Sequence, residues 1–154
     1  MEPPAVLPAS LEAVRAHRAE LRESMDALDQ ALGHEAVDRV GSWAERVDVA
    51  LVELSGDLRV HIDLNEGPDG LHQEAVMAAP RLADAVRRLT ADHVELTRQV
   101  DELQALLASG AGEAVDVVEV RRRGGVLLDR LRKHRQAGAE VVYQAYAADL
   151  GGET

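Results

Sequence analysis

The sequence predicts an all-α fold, an antiparallel up-down four-helix bundle, on three observations. Of the 154 residues, 46% are hydrophobic but only 2% are aromatic, with one Trp, two Tyr and no Phe. Strands depend on aromatic side chains, so this composition excludes a sandwich or barrel, while the dominant Ala, Leu, Arg and Glu are the best helix formers. The apolar residues also recur at three- and four-residue spacing in four long stretches separated by breaker clusters, as a bundle requires. A chain of this length suits one domain and buries about 70% of its unfolded surface.

Residues 1–9 read as a proline-bearing N-terminal arm, residues 10–150 as the bundle and residues 151–154 as a tail. Ser10 is placed to cap the first helix, whose stripe runs Leu11, Val14, Leu21, Met25, Leu28 and Leu32 before Gly33 ends it. Ser42 is placed to cap the second, with Trp43, Val47, Ala50, Leu54, Leu58 and Ile62 as its stripe. The run Asn65-Glu66-Gly67-Pro68-Asp69-Gly70 stops that helix near residue 64. A short helical turn over 71–79 precedes Pro80, a favoured first helical residue. The third helix carries Leu82, Val86, Leu89, Leu96, Val100, Leu103 and Leu107 at heptad spacing and closes at Ser109-Gly110-Ala111-Gly112. The fourth carries Val115, Val118, Leu127, Leu131, Val141 and Ala145 up to Gly151-Gly152, with a kink or split expected at Gly124-Gly125.

The formal charge of -11 argues against a nucleic-acid partner, which needs a basic footprint, and against an anionic membrane surface. Without cysteine there is no disulfide framework, thiolate zinc site or iron–sulfur cluster. The segment MEPPAVLPASLEAV lacks a basic region, and no apolar run approaches the ~18 residues of a membrane span. A cytoplasmic location is the expectation, and exposed stripe residues on the fourth helix leave a homodimer open.

The stripes have gaps, and histidines fill them. His17 lies three after Val14 and four before Leu21; His61 follows Leu58 by three; His93 lies four after Leu89 and three before Leu96; His134 follows Leu131 by three. Each long helix thus turns one imidazole into the core. At about 1.5 Å rise per residue, the levels of His17 and His61 differ by ~6 Å and those of His93 and His134 by ~4–5 Å. The four therefore fit one layer. Burying an unpaired polar group costs ~1–3 kcal/mol, and a shared metal satisfies four imidazoles together.

In that histidine order, and in His17-Arg18-Ala19-Glu20-Leu21-Arg22, Asp92-His93-Val94-Glu95-Leu96 and HRQAGAEVVYQAYAADLGG, the chain resembles the hemerythrin-like (HHE) family over residues 10–150. The resemblance implies a four-helix bundle whose core histidines and carboxylates hold non-haem iron. It implies His17, His61, His93 and His134 as ligands, with His61 and His134 in the second- and fourth-helix positions. It also implies a carboxylate four or five residues after each of those two.

Those positions are Asn65 and Glu66 after His61, and Gly138 and Ala139 after His134. Glu66 is thus the one oxygen ligand expected. Glu140 is turned by about 100° from the required face, and Tyr143, nine residues after His134, is the candidate for a phenolate ligand. Four imidazoles and one carboxylate suit a single iron, zinc or copper better than an oxo-bridged pair. The expected function is a metal-binding protein that handles or senses oxygen, nitric oxide or peroxide. It uses one or two non-haem iron ions, or zinc. The alternative is a metal-free bundle serving as a structural or interaction module. A metal-dependent thiol-transferase bundle would need a His-x-x-x-His pair, and none occurs.

Other features read as local. Asn65–Gly70 lacks the ligand pattern of a calcium loop, His72 beside it reads as surface or adjoining the site, and His34 as solvated. Arg121-Arg122-Arg123 reads as a solvated face or anion contact, and Asp129 can pair with Arg132 or Lys133. No Ser/His/Asp arrangement, phosphate loop or Glu-x-x-His pair is present.

Overall fold

The computed structural model describes residues 9–110 and 114–147. The arm up to residue 8, Ala111-Gly112 and the tail from Gly151 lie outside the described residues. The described chain is all-helical, without a strand: α1 (Ala9–Gly33), α2 (Val40–Glu66), a short α3 (Leu71–Ala78), α4 (Ala83–Ser109) and α5 (Val117–Val142). A 3-10 turn over Pro80–Leu82 leads into α4, and a π-helical turn over Tyr143–Ala147 follows α5.

Ends differ from expectation where local geometry decides them. Ser10 stands inside the first turn of α1. Asp38, in the left-handed region at φ 59°, turns the chain so that α2 begins at Val40, and Ser42 lies inside that helix without capping it. At the other end α2 runs to Glu66, beyond residue 64, which keeps Asn65 and Glu66 helical one turn after His61. Gly70 is required by the turn that follows, because a Cβ there would lie 2.5 Å from the Asn65 carbonyl oxygen. Asp116 caps α5 by accepting the Glu119 N–H at 3.1 Å.

The expected break at Gly124-Gly125 does not occur, and α5 is continuous through both. Gly124 is instead a close-packing position: a Cβ would sit 2.5 Å from Leu32 Cδ1 of α1.

Each of the long helices α1 and α4 packs against both α2 and α5. Their apolar stripes form one main core that includes Leu28, Val47, Leu54, Leu96, Leu103, Leu127 and Leu131. A second cluster, Ala75, Leu82, Val86, Leu89 and Val141, lies under α3, and Leu11, Val14 and Leu71 form a third. The sequence positions between these clusters belong to histidines. Leu96 lies in the main core and Leu89 in the second, with His93 between them in the chain; Leu131 and Val141 bracket His134 in the same way.

Candidate metal centre

His61, His93 and His134 occupy stripe positions on α2, α4 and α5, one turn from Leu58, Leu96 and Leu131, and so point inward. His93 is 1% and His134 4% exposed, and His61 is partly buried. His134 Nε2 lies 3.1 Å from His61 Nε2 and 3.0 Å from His93 Nε2. One ligand atom from each ring lies within 4.8 Å of the others, a spacing that can hold one ion.

The other ring nitrogens are held from outside. His93 Nδ1 donates to Glu66 Oε2 at 2.6 Å, and His134 Nδ1 donates to Asp92 Oδ2 at 2.8 Å. Arg130 Nε donates to the second Asp92 oxygen at 2.6 Å. The Asn65 amide donates to the His61 carbonyl at 2.7 Å and faces His61 Nδ1 at 3.4 Å. Thr97, one turn after His93 on α4, donates back to the His93 carbonyl at 2.8 Å.

This arrangement has an electrostatic consequence. A neutral imidazole has one N–H, and carboxylates take those of His93 and His134. Their Nε2 lone pairs therefore face each other at 3.0 Å, and only His61 Nε2 has a hydrogen to offer. Burial holds the rings neutral, pushing His61 down to about 3 and His93 to about 4, with repulsion from neighbouring imidazoles adding to both. Burial also lowers His134, although Asp92 opposes it. Convergent neutral imidazoles with Nδ1–H groups fixed by outer carboxylates match the pattern in which proteins present nitrogen to a transition metal. Three protein ligands also leave a coordination position open.

His72 is drawn in as well. It is buried rather than at the surface, stacked on His93 with ring centroids 5.4 Å apart and planes 8° apart, and its Nδ1 lies 3.2 Å from Thr90 Oγ1. Burial, and the repulsion that two protonated imidazoles would feel beside His93, lower it to about 4. Its position at the start of α3, a short element off the four main stripes, hid it from periodicity. Asp92 was also visible only as part of a motif; the usable signal was its place beside His93, facing α5.

The other candidates separate. Glu66 approaches the centre through His93 Nδ1, on the side away from the Nε2 atoms. His17 is buried but lies apart: its Nε2 donates to the Asp57 carbonyl oxygen at 2.9 Å and its Nδ1 faces Glu20 Oε2 at 2.9 Å. Tyr143 is 68% exposed: nine residues of helix turn it about 180° away from His134, so it does not share that face. Glu140 is exposed and accepts from Gln144, and His34 is exposed. The arginine run acts within the chain. Arg121 donates to the Leu32 and His34 carbonyls at 3.0 and 2.8 Å and lies over the Trp43 ring, while Arg122 and Arg123 pair with Glu119. Asp129 pairs with Lys133 at 3.0 Å, and Arg132 with Asp29 at 3.3 Å.

A cavity of about 50 Å³ adjoins the centre, lined by His61, His134, His72 and apolar groups such as Leu71, Leu89 and Val141, with Arg18 and Arg135 among its walls. It has room for a few waters or a diatomic molecule. Among the described residues, no helix is long and apolar enough to cross a membrane.

Compared with known proteins, the chain matches no family model, and no curated protein and no solved structure shows significant similarity to it.

Proposed function

We propose that the protein is a hemerythrin-like metal-binding bundle whose His61, His93 and His134 Nε2 atoms hold a single transition-metal ion, iron or zinc, at the core. The observation that carries this reading is the pair of facing lone pairs on His93 and His134, which a cation between them resolves. The short connections, with α1 and α4 each packed against α2 and α5, support an antiparallel up-down arrangement. Asn65 at one expected bridging position, and Gly138 and Ala139 at the other, favour one ion over a carboxylate-bridged pair. Glu66 and Asp92 serve as orienting partners, and the ion supplies an open coordination position beside the small cavity. Its ligand is a small molecule such as oxygen, nitric oxide or peroxide, in a cytoplasmic setting.

The test is metal per chain after purification from iron-supplemented cells, for the native protein and for His61→Ala and His134→Ala. About one more ion per native chain than in either variant is the expected result. Substoichiometric metal with no spectral change on adding ferrous iron in air would leave the metal-free interaction module as the function.

A further inference from the structure

The pairing of His17 carries a second consequence, away from the three-histidine centre. His17 is 8% exposed, and its Nε2 must carry the hydrogen because its partner is a backbone carbonyl. In the neutral ring Nδ1 is then a lone pair, and what faces it at 2.9 Å is the carboxylate of Glu20, another acceptor. The Asp57 carboxylate, across on α2, completes a group whose ligand atoms lie within 4.8 Å of one another. Ser24, itself buried, donates to Asp57 Oδ2 and fixes that carboxylate. The group borders an open hollow whose charged walls, Glu20, Glu23, Glu53 and Asp57, are all acidic.

We propose that His17 Nδ1, Glu20 and Asp57 form a second, surface-facing site for a divalent transition-metal cation that joins α1 to α2. The imidazole is set up as ligands usually are, with its far N–H tied to a backbone carbonyl. One nitrogen and two carboxylates neutralise a divalent charge, and the hollow leaves water to fill the coordination sphere. The imidazole separates this site from ordinary calcium or magnesium sites, which take oxygen alone. Its oxygen-rich, hydrated set also differs in field from the three-nitrogen centre. The two sites are therefore distinguishable by spectrum.

The experiment is a Co²⁺ titration of the chelator-stripped protein, followed by visible absorption and calorimetry, on the native chain, Glu20→Gln/Asp57→Asn and His61→Ala/His134→Ala. Glu20 is exposed and Asp57 half-buried, so the first variant retains the core, which a thermal melt checks. The expected result is an equivalent with the weak absorption of an oxygen-rich site, weakened at least ~10-fold in Glu20→Gln/Asp57→Asn, the lower end for lost site partners, and kept in His61→Ala/His134→Ala. Unchanged uptake in Glu20→Gln/Asp57→Asn, or native uptake confined to the strongly absorbing centre, overturns the proposal and leaves His17 as a packing residue that ties α1 to α2. Failure of the three-histidine centre alone gives a different pattern: one weakly absorbing equivalent in the native chain, lost in Glu20→Gln/Asp57→Asn.

Discussion

Asp92 Oδ2 accepts the Nδ1–H of His134 at 2.8 Å, and the same carboxylate is itself held by Arg130. The contact fixes both the tautomer and the tilt of the ring, so on the proposed function it would control how well Nε2 holds the ion. Asp92→Asn keeps the shape and removes the charge. Metal affinity should fall ~10–100-fold, as for other outer-shell partners, in competition against a chromophoric chelator.

Replacing His93 with Leu should separate binding from folding. In the metal-free protein the substitution removes a buried acceptor that lacks a donor and extends the Leu89–Leu96 stripe. Urea unfolding of the metal-free variant should show a gain on the order of 1 kcal/mol, the lower end of the cost of an unsatisfied buried group. Its central metal uptake should be lost.

Acid should destabilise the metal-free protein. His61, His72 and His93 are lowered from 6.5 to about 3, 4 and 4, so their neutral forms are favoured in the folded state. The unfolded chain binds these protons first, as pH falls through 6.5, and stability drops from there until the folded-state values near 4 and 3 are reached. The thermal midpoint of chelator-treated protein should be lower at pH 5 than at pH 7.5. An equal or higher midpoint at pH 5 would contradict the neutral assignment.

Arg121 closes the C-terminal end of α1 through two carbonyls and lies over Trp43. Arg121→Ala should cost about 1–2 kcal/mol in chemical denaturation, the scale of charge-assisted hydrogen bonds at a partly exposed position. Arg122→Ala, which loses only a surface pair with Glu119, should shift the midpoint less than Arg121→Ala does.

The two neighbouring glycines of α5 should respond in opposite directions. A Cβ on Gly125 meets open space, so Gly125→Ala should stabilise by up to ~1 kcal/mol through helix propensity. A Cβ on Gly124 meets Leu32, so Gly124→Ala should destabilise by ~1–3 kcal/mol through overpacking, offset in part by propensity. Thermal melts of the two variants on either side of the native midpoint would confirm the contrast.

The helices and three of the central histidines were legible because both follow from one periodicity. A gap in an aliphatic stripe at i+3 or i+4 can only point inward, whichever residue fills it. What periodicity does not carry is the partner on a neighbouring helix. His17 lies on its stripe, yet its ring turns to the Asp57 carbonyl rather than to His61, since α2 offers that acceptor closer to hand. Asp92 and His72 lie beside stripes or outside them, so only the packing of α4 against α5 and the turn at Gly70 bring them to the centre. Gly124-Gly125 misled for a related reason. A glycine's cost within one helix is local, whereas the contact with Leu32 that it permits is between helices.

With Arg121 engaged over the end of α1 and Arg122 and Arg123 tied to Glu119, a block of three cations is spent on internal contacts. What approaching solutes meet is the field of a polyanion of formal charge -11. Within a Debye length, about 8 Å at physiological salt, that field gathers cations and turns small anions away. Uncharged gases cross it without bias. The exterior therefore sorts solutes by charge before the cavity sorts them by size, so metal loading should slow as salt rises while uptake of a neutral diatomic should not.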